Sequence, residues 1–276
     1  MSLIAAEAVR KTYRSAALLG GPPPKTVLRD VGLTIAPGEC VGLLGRSGCG
    51  KSTLARLLLG LERPDSGQVT FRGQDVARLD RDGRRAFRKT VQIVFQDAIS
   101  AVNPRHTVAR IIEEPLRHLT ELDGNARQAR VAELLAVVGL HRDDAEKLPG
   151  QMSGGQLQRV SIARALAPKP DLIVLDEAVS NLDLVLQLQI VDMLSMLRRQ
   201  SGAAFLFITH DLRLARRLCD RLIVMDGGAI VEEVEVAGFS AFRHAAAQAL
   251  SAAVLPAHPR KGRGGLAQMP GANGQI

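Results

Sequence analysis

Residues 45–53 read GRSGCGKST and follow directly on the apolar run CVGLLG at 40–45. Three glycines and a lysine in nine positions leave little side chain and much accessible backbone. Glycine lets successive N–H groups turn inward where a Cβ would obstruct them, so a stretch of this kind can wrap an anion. The spacing fits G-x-x-x-x-G-K-[ST], with Gly45, Gly50, Lys51 and Ser52 at its fixed positions. The run before it has strand character and KSTLARLLLGL after it has helical periodicity. The loop therefore joins a strand to the positive end of a helix. In that setting Gly45, Arg46, Ser47, Gly48, Cys49, Gly50, Lys51, Ser52 and Thr53 are expected to cradle nucleotide phosphates. Lys51 would neutralise the β- and γ-phosphates, and the Ser52 hydroxyl would face Mg²⁺.

Three further runs share the apolar character of the first: VQIVFQ (91–96), DLIVLD (171–176) and AFLFITH (204–210). Near-continuous apolarity suits strands buried on both faces, as in a parallel sheet covered by helices. Helical patterns at 184–199 and 212–219 alternate with these runs, which predicts an α/β fold. Ligands of such sheets lie beyond the carboxyl ends of the strands. Gln96, Asp176, Glu177 and His210 are thus expected to gather near the glycine loop. Asp176, at a strand end, is the candidate Mg²⁺ ligand, and Glu177 the candidate general base.

Looser alternation with turn residues at 26–39 and 66–73 predicts antiparallel strands. RLIVMD (221–226), followed by GG and AIVEEVEV, predicts a hairpin with Asp226 in the turn, which removes Asp226 from the candidate chemistry. Residues 107–167 are mostly helical in pattern. Within them, QMSGGQLQRVSIARAL (151–166) places Ser153 and Gln156 at capping-box spacing, so a helix is expected to begin at Ser153. Glycines in a first helical turn do little for stability but expose backbone donors to an anion. Two anion-binding helix tips in one chain pose a geometric question. Both can address one nucleotide, from the same molecule or from different ones.

Composition sets outer bounds. The chain has 276 residues, 46% of them hydrophobic, which supports a sizeable core. Aromatic residues amount to 3% and Trp is absent, which argues against a base-stacking surface and so against nucleic acid as a partner. Net charge is +8, with Arg-rich stretches at 78–89 and 258–265 that read as solvated faces or as attraction to phosphates or an anionic membrane surface. The N-terminus MSLIAAEAVRKTYR lacks a basic region followed by a long apolar stretch, and no run approaches the roughly 20 residues of a spanning helix. A cytoplasmic protein is expected, its membrane role borrowed from a partner. Cys40, Cys49 and Cys219 are far apart along the chain, without metal-ligand spacing, and fit a reducing compartment. From about residue 240 Ala-rich sequence gives way to Pro, Gly and Arg, and the last twenty residues are expected to be disordered.

The stretches GRSGCGKST, FQD, SGGQLQR, LIVLDE, SNLD and FITHD occur in the order seen in ABC-transporter ATPases, which the chain resembles over about residues 5–235. The SGGQ stretch separates that family from other P-loop NTPases. The resemblance implies a RecA-like α/β core with an N-terminal antiparallel β subdomain and a helical subdomain at about 97–167. An ATP-binding domain over 1–240 and a short tail at 241–276 follow. It further implies that Tyr13 stacks on adenine, and that Gln96 touches Mg²⁺ and water and signals to the membrane domain. Ser153, Gly154, Gly155 and Gln156 would close over the γ-phosphate of the opposite subunit. Asp183 would lie at the dimer contact, and His210 near the γ-phosphate.

FQDAISAVNPRHTV and DEAVSNLDLVLQ are similar to the nickel, dipeptide and oligopeptide importers, and especially to the nickel-import branch. The implied partners are a second, different ATPase chain, two membrane permeases and, indirectly, a periplasmic binding protein. The implied place is the cytoplasmic face of the inner membrane, with ATP and Mg²⁺ bound. A dipeptide or oligopeptide importer shares all of this chemistry. Non-transport ABC ATPases of DNA repair or translation usually carry two cassettes or long inserts, whereas this chain shows one cassette without a repeat. An accessory ATPase of phosphonate degradation is a third alternative.

Overall fold

The computed structural model describes residues 2–14 and 23–252. Strands β1 (Ile4–Tyr13) and β2 (Lys25–Ile35) pair antiparallel, and β3 (Cys40–Gly45) leads through the glycine loop into helix α1 (Lys51–Leu58). Next come β4 (Ser66–Phe71), β5 (Gln74–Asp75), α2 (Arg81–Thr90) and β6 (Val91–Val94). Three helices follow, α3 (Val108–Leu119), α4 (Gly124–Val137) and α5 (Gly154–Leu166), with two short 3₁₀ turns between the second and third. The chain then alternates β7 (Leu172–Asp176), α6 (Leu184–Ser201), β8 (Ala204–Thr209) and α7 (Leu212–Leu218). It closes with the hairpin β9 (Arg221–Asp226) and β10 (Ala229–Glu235), and with α8 (Ala245–Ala252).

Two sheets result: a four-stranded antiparallel one ordered β2-β1-β4-β5, and a six-stranded one ordered β10-β9-β3-β8-β7-β6. In the larger sheet β3, β6, β7, β8 and also β9 run parallel, and only β10 is antiparallel. The sequence pattern foretold the β9–β10 hairpin but not that β9 would join β3 as a parallel neighbour. Asp226 pairs with Ala229 across the turn, where Gly227 and Gly228 take φ of 53° and 85°. Positive φ at both central residues is what a two-residue hairpin turn demands.

Two cores explain why these strands read as continuous apolar runs. Alternate residues of a strand face opposite ways. Cys40 and Leu44 of β3, Ile173 and Leu175 of β7, and Phe205 and Phe207 of β8 pack against α3 to α8. Val41 and Leu43, Leu172 and Val174, and Leu206 and Ile208 pack against α1 and the antiparallel sheet. Each fully buried side chain of this kind contributes about 1.5–3 kcal/mol. The six-stranded sheet is thus the wall shared by both cores.

The Arg-rich stretch at 78–89 becomes α2, capped by Asp80, which accepts the Gly83 N–H at 2.7 Å. Phe87 is its one buried residue and packs edge-on against Phe71 with centroids 5.2 Å apart, so the charges form a solvated face. Cys40 and Cys219, distant in sequence, meet. Burial, with Cys40 beside it acting in the same direction, pushes the Cys219 thiol well up from its ordinary pKa. Of the expected tail, Phe242 and Ala247 are buried against the larger core. The last twenty residues, where disorder was expected, lie outside the described ones.

Arg221 joins the two sheets. Its guanidinium donates to Glu39 Oε1 at 2.8 Å, Glu233 Oε1 at 2.7 Å and the Thr34 carbonyl at 2.8 Å. Arg221 is buried, but Glu39 and especially Glu233 stay open to water, so losing the guanidinium costs less than breaking a fully buried ion pair. Arg221→Ala is therefore expected to lower unfolding free energy by about 1.5–3 kcal/mol in urea titration. A loss below about 0.5 kcal/mol, the usual range for surface changes, would contradict this role.

Candidate functional site

The carboxyl edge of the parallel strands collects the expected residues. Leu44 pairs with Thr209, Ile208 with Asp176, and Leu175 with Val94, so four strand ends stand side by side. The loop at 45–53 leaves the first, His210 the second, Asp176 and Glu177 the third, and Gln96 the fourth. Gln96 and His210 are both exposed.

Within the loop the glycines differ in purpose. A Cβ on Gly45 would lie 2.5 Å from the Met225 carbonyl oxygen, and one on Gly50 would lie 2.9 Å from that of Val27. Those two positions are dictated by the chain's own packing. Gly48 has φ of 79°, and a Cβ there would meet nothing of the chain within 4 Å. Its side-chain-free face is therefore a cradle a Cβ would fill, suited to close approach by a phosphate. Lys51 opens α1 and is only 5% exposed. Its ammonium donates to the carbonyls of Gly45 at 2.8 Å and Arg46 at 3.1 Å. Among the described residues no carboxylate forms an ion pair with it. A buried cation held by neutral oxygens keeps its field for an anion.

Across the strand ends, the Ser52 hydroxyl donates to Asp176 Oδ1 at 3.2 Å, which brings the two candidate Mg²⁺ ligands together. Burial raises the pKa of Asp176, and the neighbouring Glu177 carboxylate pushes the same way; Ser52, Lys51 and Arg56 oppose them. Glu177 has φ of 46°, in the left-handed region. Such a conformation in a non-glycine residue costs on the order of 1 kcal/mol and collects at functional positions. It is held by the Glu177 N–H donating to the Ile208 carbonyl at 3.0 Å, and by the Ser180 hydroxyl donating to the Glu177 carbonyl at 2.9 Å.

Tyr13 is the last residue of β1, in the other sheet, 37% exposed, with its hydroxyl donating to Glu62 Oε2 at 2.6 Å and the Lys11 ammonium 5.5 Å from its ring. The capping box expected at the start of α5 is present. Ser153 Oγ accepts the Gln156 N–H at 3.2 Å, and Gln156 Oε1 accepts the Ser153 N–H at 2.9 Å. Ser153 and Gly154 are exposed, while Gly155 is buried. Among the described residues neither Ser153 nor Gln156 hydrogen-bonds to the loop at 45–53. Asp183 caps α6, accepting the Leu186 N–H at 2.9 Å.

Two participants had no mark in the sequence. Arg164 donates from α5 to the Ala101 carbonyl at 2.6 Å, tying the segment after Gln96 to the helix that bears Ser153. Burial lowers its pKa. Glu62, which holds the Tyr13 hydroxyl, sits in a loop without pattern. Each is found only through a hydrogen-bond partner far along the chain.

A raised carboxyl pKa means that ionising Asp176 in the folded chain costs stability, a penalty absent at acid pH and growing as pH rises through the folded pKa. Asp176→Asn removes that penalty while leaving an acceptor for Ser52. The nucleotide-free variant is expected to melt a few degrees above the native chain at neutral pH, the gap closing as pH falls through the raised pKa. A lower Tm for the variant at neutral pH would contradict the electrostatic reading.

A profile of the ABC transporter family matches residues 28–180. The chain is 61% identical over 257 residues, 93% of each chain, to the "Nickel import ATP-binding protein NikE" of Rhodospirillum rubrum. It is 51% identical over 263 residues to the protein of the same name from Shigella dysenteriae, covering 95% of this chain and 98% of that one. Among solved structures it is similar to the ATP-binding cassette MJ0796, seen as a dimer in a post-hydrolysis state with ADP and Pi. That similarity has a TM-score of 0.76 at 32% identity, over 86% of this chain and 100% of that one. This chain belongs to the ABC transporter family.

Proposed function

We propose that the chain is the ATP-hydrolysing subunit of an importer that carries nickel ions inward, seated peripherally on the cytoplasmic face of the membrane. Among the described residues no helix is long and apolar enough to cross a membrane. Its partners in this reading are a second, different ATPase chain, two permeases and, through them, a periplasmic binding protein. The observation that carries the hydrolytic part is the buried Lys51 ammonium in its glycine cradle, linked through Ser52 to Asp176. The cargo rests on kinship with proteins named for nickel import over nearly their whole length. The importer of this reading takes nickel as cargo in its membrane and periplasmic subunits.

In this reading the backbone N–H groups of residues 45–53 bind the triphosphate, with Lys51 between the β- and γ-phosphates and Tyr13 against adenine. Ser52, Asp176 and Gln96 would hold Mg²⁺. The ion, when bound, neutralises charge on the phosphate oxygens. Glu177 takes a proton from water as it attacks the γ-phosphorus; the bond to the β-phosphate oxygen breaks, leaving ADP and phosphate. His210, on the adjoining strand end, donates to the departing phosphoryl oxygens. The tip at Ser153–Gln156, which makes no hydrogen bond to its own loop among the described residues, closes over a nucleotide held by the partner.

Glu177→Gln is expected to keep nucleotide binding and to slow hydrolysis at least about 100-fold. In cells lacking the native chain, only the native form would restore uptake of radioactive nickel. Near-native turnover in the variant would remove Glu177 from its role. Unchanged nickel uptake alongside lost peptide uptake on deletion would overturn the cargo.

A further inference from the structure

The two glycines at the tip of α5 are glycines for different reasons. A Cβ on Gly154 would meet nothing of the chain within 4 Å. One on Gly155 would lie 3.2 Å from Leu186 Cδ1 and 3.6 Å from Cδ2. Gly155 is buried, so the tip rests on the first turn of α6 through this contact. The backbone of Leu186 is in turn held by the α6 cap: its N–H donates to Asp183 Oδ1 at 2.9 Å. The next residue is fastened as well, with the Gln187 N–H on the Asp183 carbonyl at 2.9 Å and its side-chain amide on the Leu182 carbonyl at 3.0 Å. A continuous physical path therefore runs from the Asp183 carboxylate through the Leu186 backbone and side chain to the Gly155 backbone.

We infer that Leu186 is a positioning residue: it sets the height of the α5 tip and makes that tip move as one body with the Asp183 cap. The inference rests on the proposed reading that the tip serves a nucleotide held by another chain. In an ordinary helical turn, replacing glycine by alanine favours the helix. At Gly155 the added methyl instead presses on Leu186 at a separation tighter than most Cβ contacts. The separation must open by a few tenths of an ångström; where the half-buried Leu186 side chain is held by its surroundings rather than free to swing, the α5 tip lifts or the first turn of α6 tilts. Displacements of about 1 Å at a group that must meet a phosphate cost activity steeply. Shortening Leu186 removes the obstacle, and the intrinsic preference for alanine then acts unopposed.

The experiment is a double-mutant cycle on the assembled transporter, reading kcat and KM for ATP, with the Tm of the isolated chain measured beside it. Gly155→Ala is expected to lower kcat about tenfold or more. KM for ATP should change little, because residues 45–53 are untouched. Gly155→Ala with Leu186→Ala, or with the milder Leu186→Val should the first fold poorly, is expected to recover most of that loss. A fully active Gly155→Ala would overturn the inference. So would a double variant no more active than Gly155→Ala at equal Tm. The native complex's rate tests the function reading separately: an inactive native complex counts against that reading, whereas the ratios among variants test Leu186.

Discussion

A buried ammonium organises the site. Lys51 is held by two carbonyl oxygens of its own loop rather than by a carboxylate, so the loop is shaped around a positive charge whose field is not spent within the chain. This constrains everything near it. The loop must stay close to Lys51, which requires Gly45 and Gly50 to pass against the carbonyls of Met225 and Val27. Those carbonyls are in place because β9 is a parallel neighbour of β3 and because β2 lies over α1. Gly48 alone among the three is left facing outward.

The shared wall between the two cores gives the site its reach. Because β3, β7 and β8 are packed on both faces, their carboxyl ends are rigidly aligned, and a cap at any one of them is referenced to the others. Asp176 can then hold the Ser52 hydroxyl although 124 positions separate them. Glu177 tolerates a left-handed backbone because its N–H is anchored on β8. The α5 tip belongs to the helical side of the wall. Its capping box satisfies its own donors, and Arg164 and Leu186 fasten it to the segment after Gln96 and to α6. Exposure of Ser153 and Gly154 on so firm a support suits the proposed contact with a nucleotide held by another chain.

Local chemistry was legible in the sequence wherever it is local in the fold. The glycine loop, the Ser153–Gln156 box, the Gly227–Gly228 turn and the both-face-buried strands each depend on residues within a short window. What was hidden depends on partners far along the chain. Strand β1 mixes Ile4, Val9, Thr12 and Tyr13 with three alanines and three charges, a weak strand pattern that β2 and β4 complete by flanking it. Helix α2 read as a run of charge because Phe87 is its only buried residue. The parallel pairing of β9, the meeting of Cys40 with Cys219, the left-handed Glu177 and the Leu186 support under Gly155 are all long-range consequences of packing. Roles for His210, Gln96 and Tyr13 came from resemblance; the fold adds their places at the strand ends and leaves their chemistry to experiment.

The central claim is that one nucleotide is gripped by two chains, the lysine loop of one and the serine tip of the other. Light scattering of the Glu177→Gln chain, alone and mixed with the sister ATPase subunit, tests it most directly. The account expects the mass to double when ATP is added and to stay single when Lys51 is also replaced by alanine. A single-chain mass at saturating ATP, with and without the sister subunit, would contradict it.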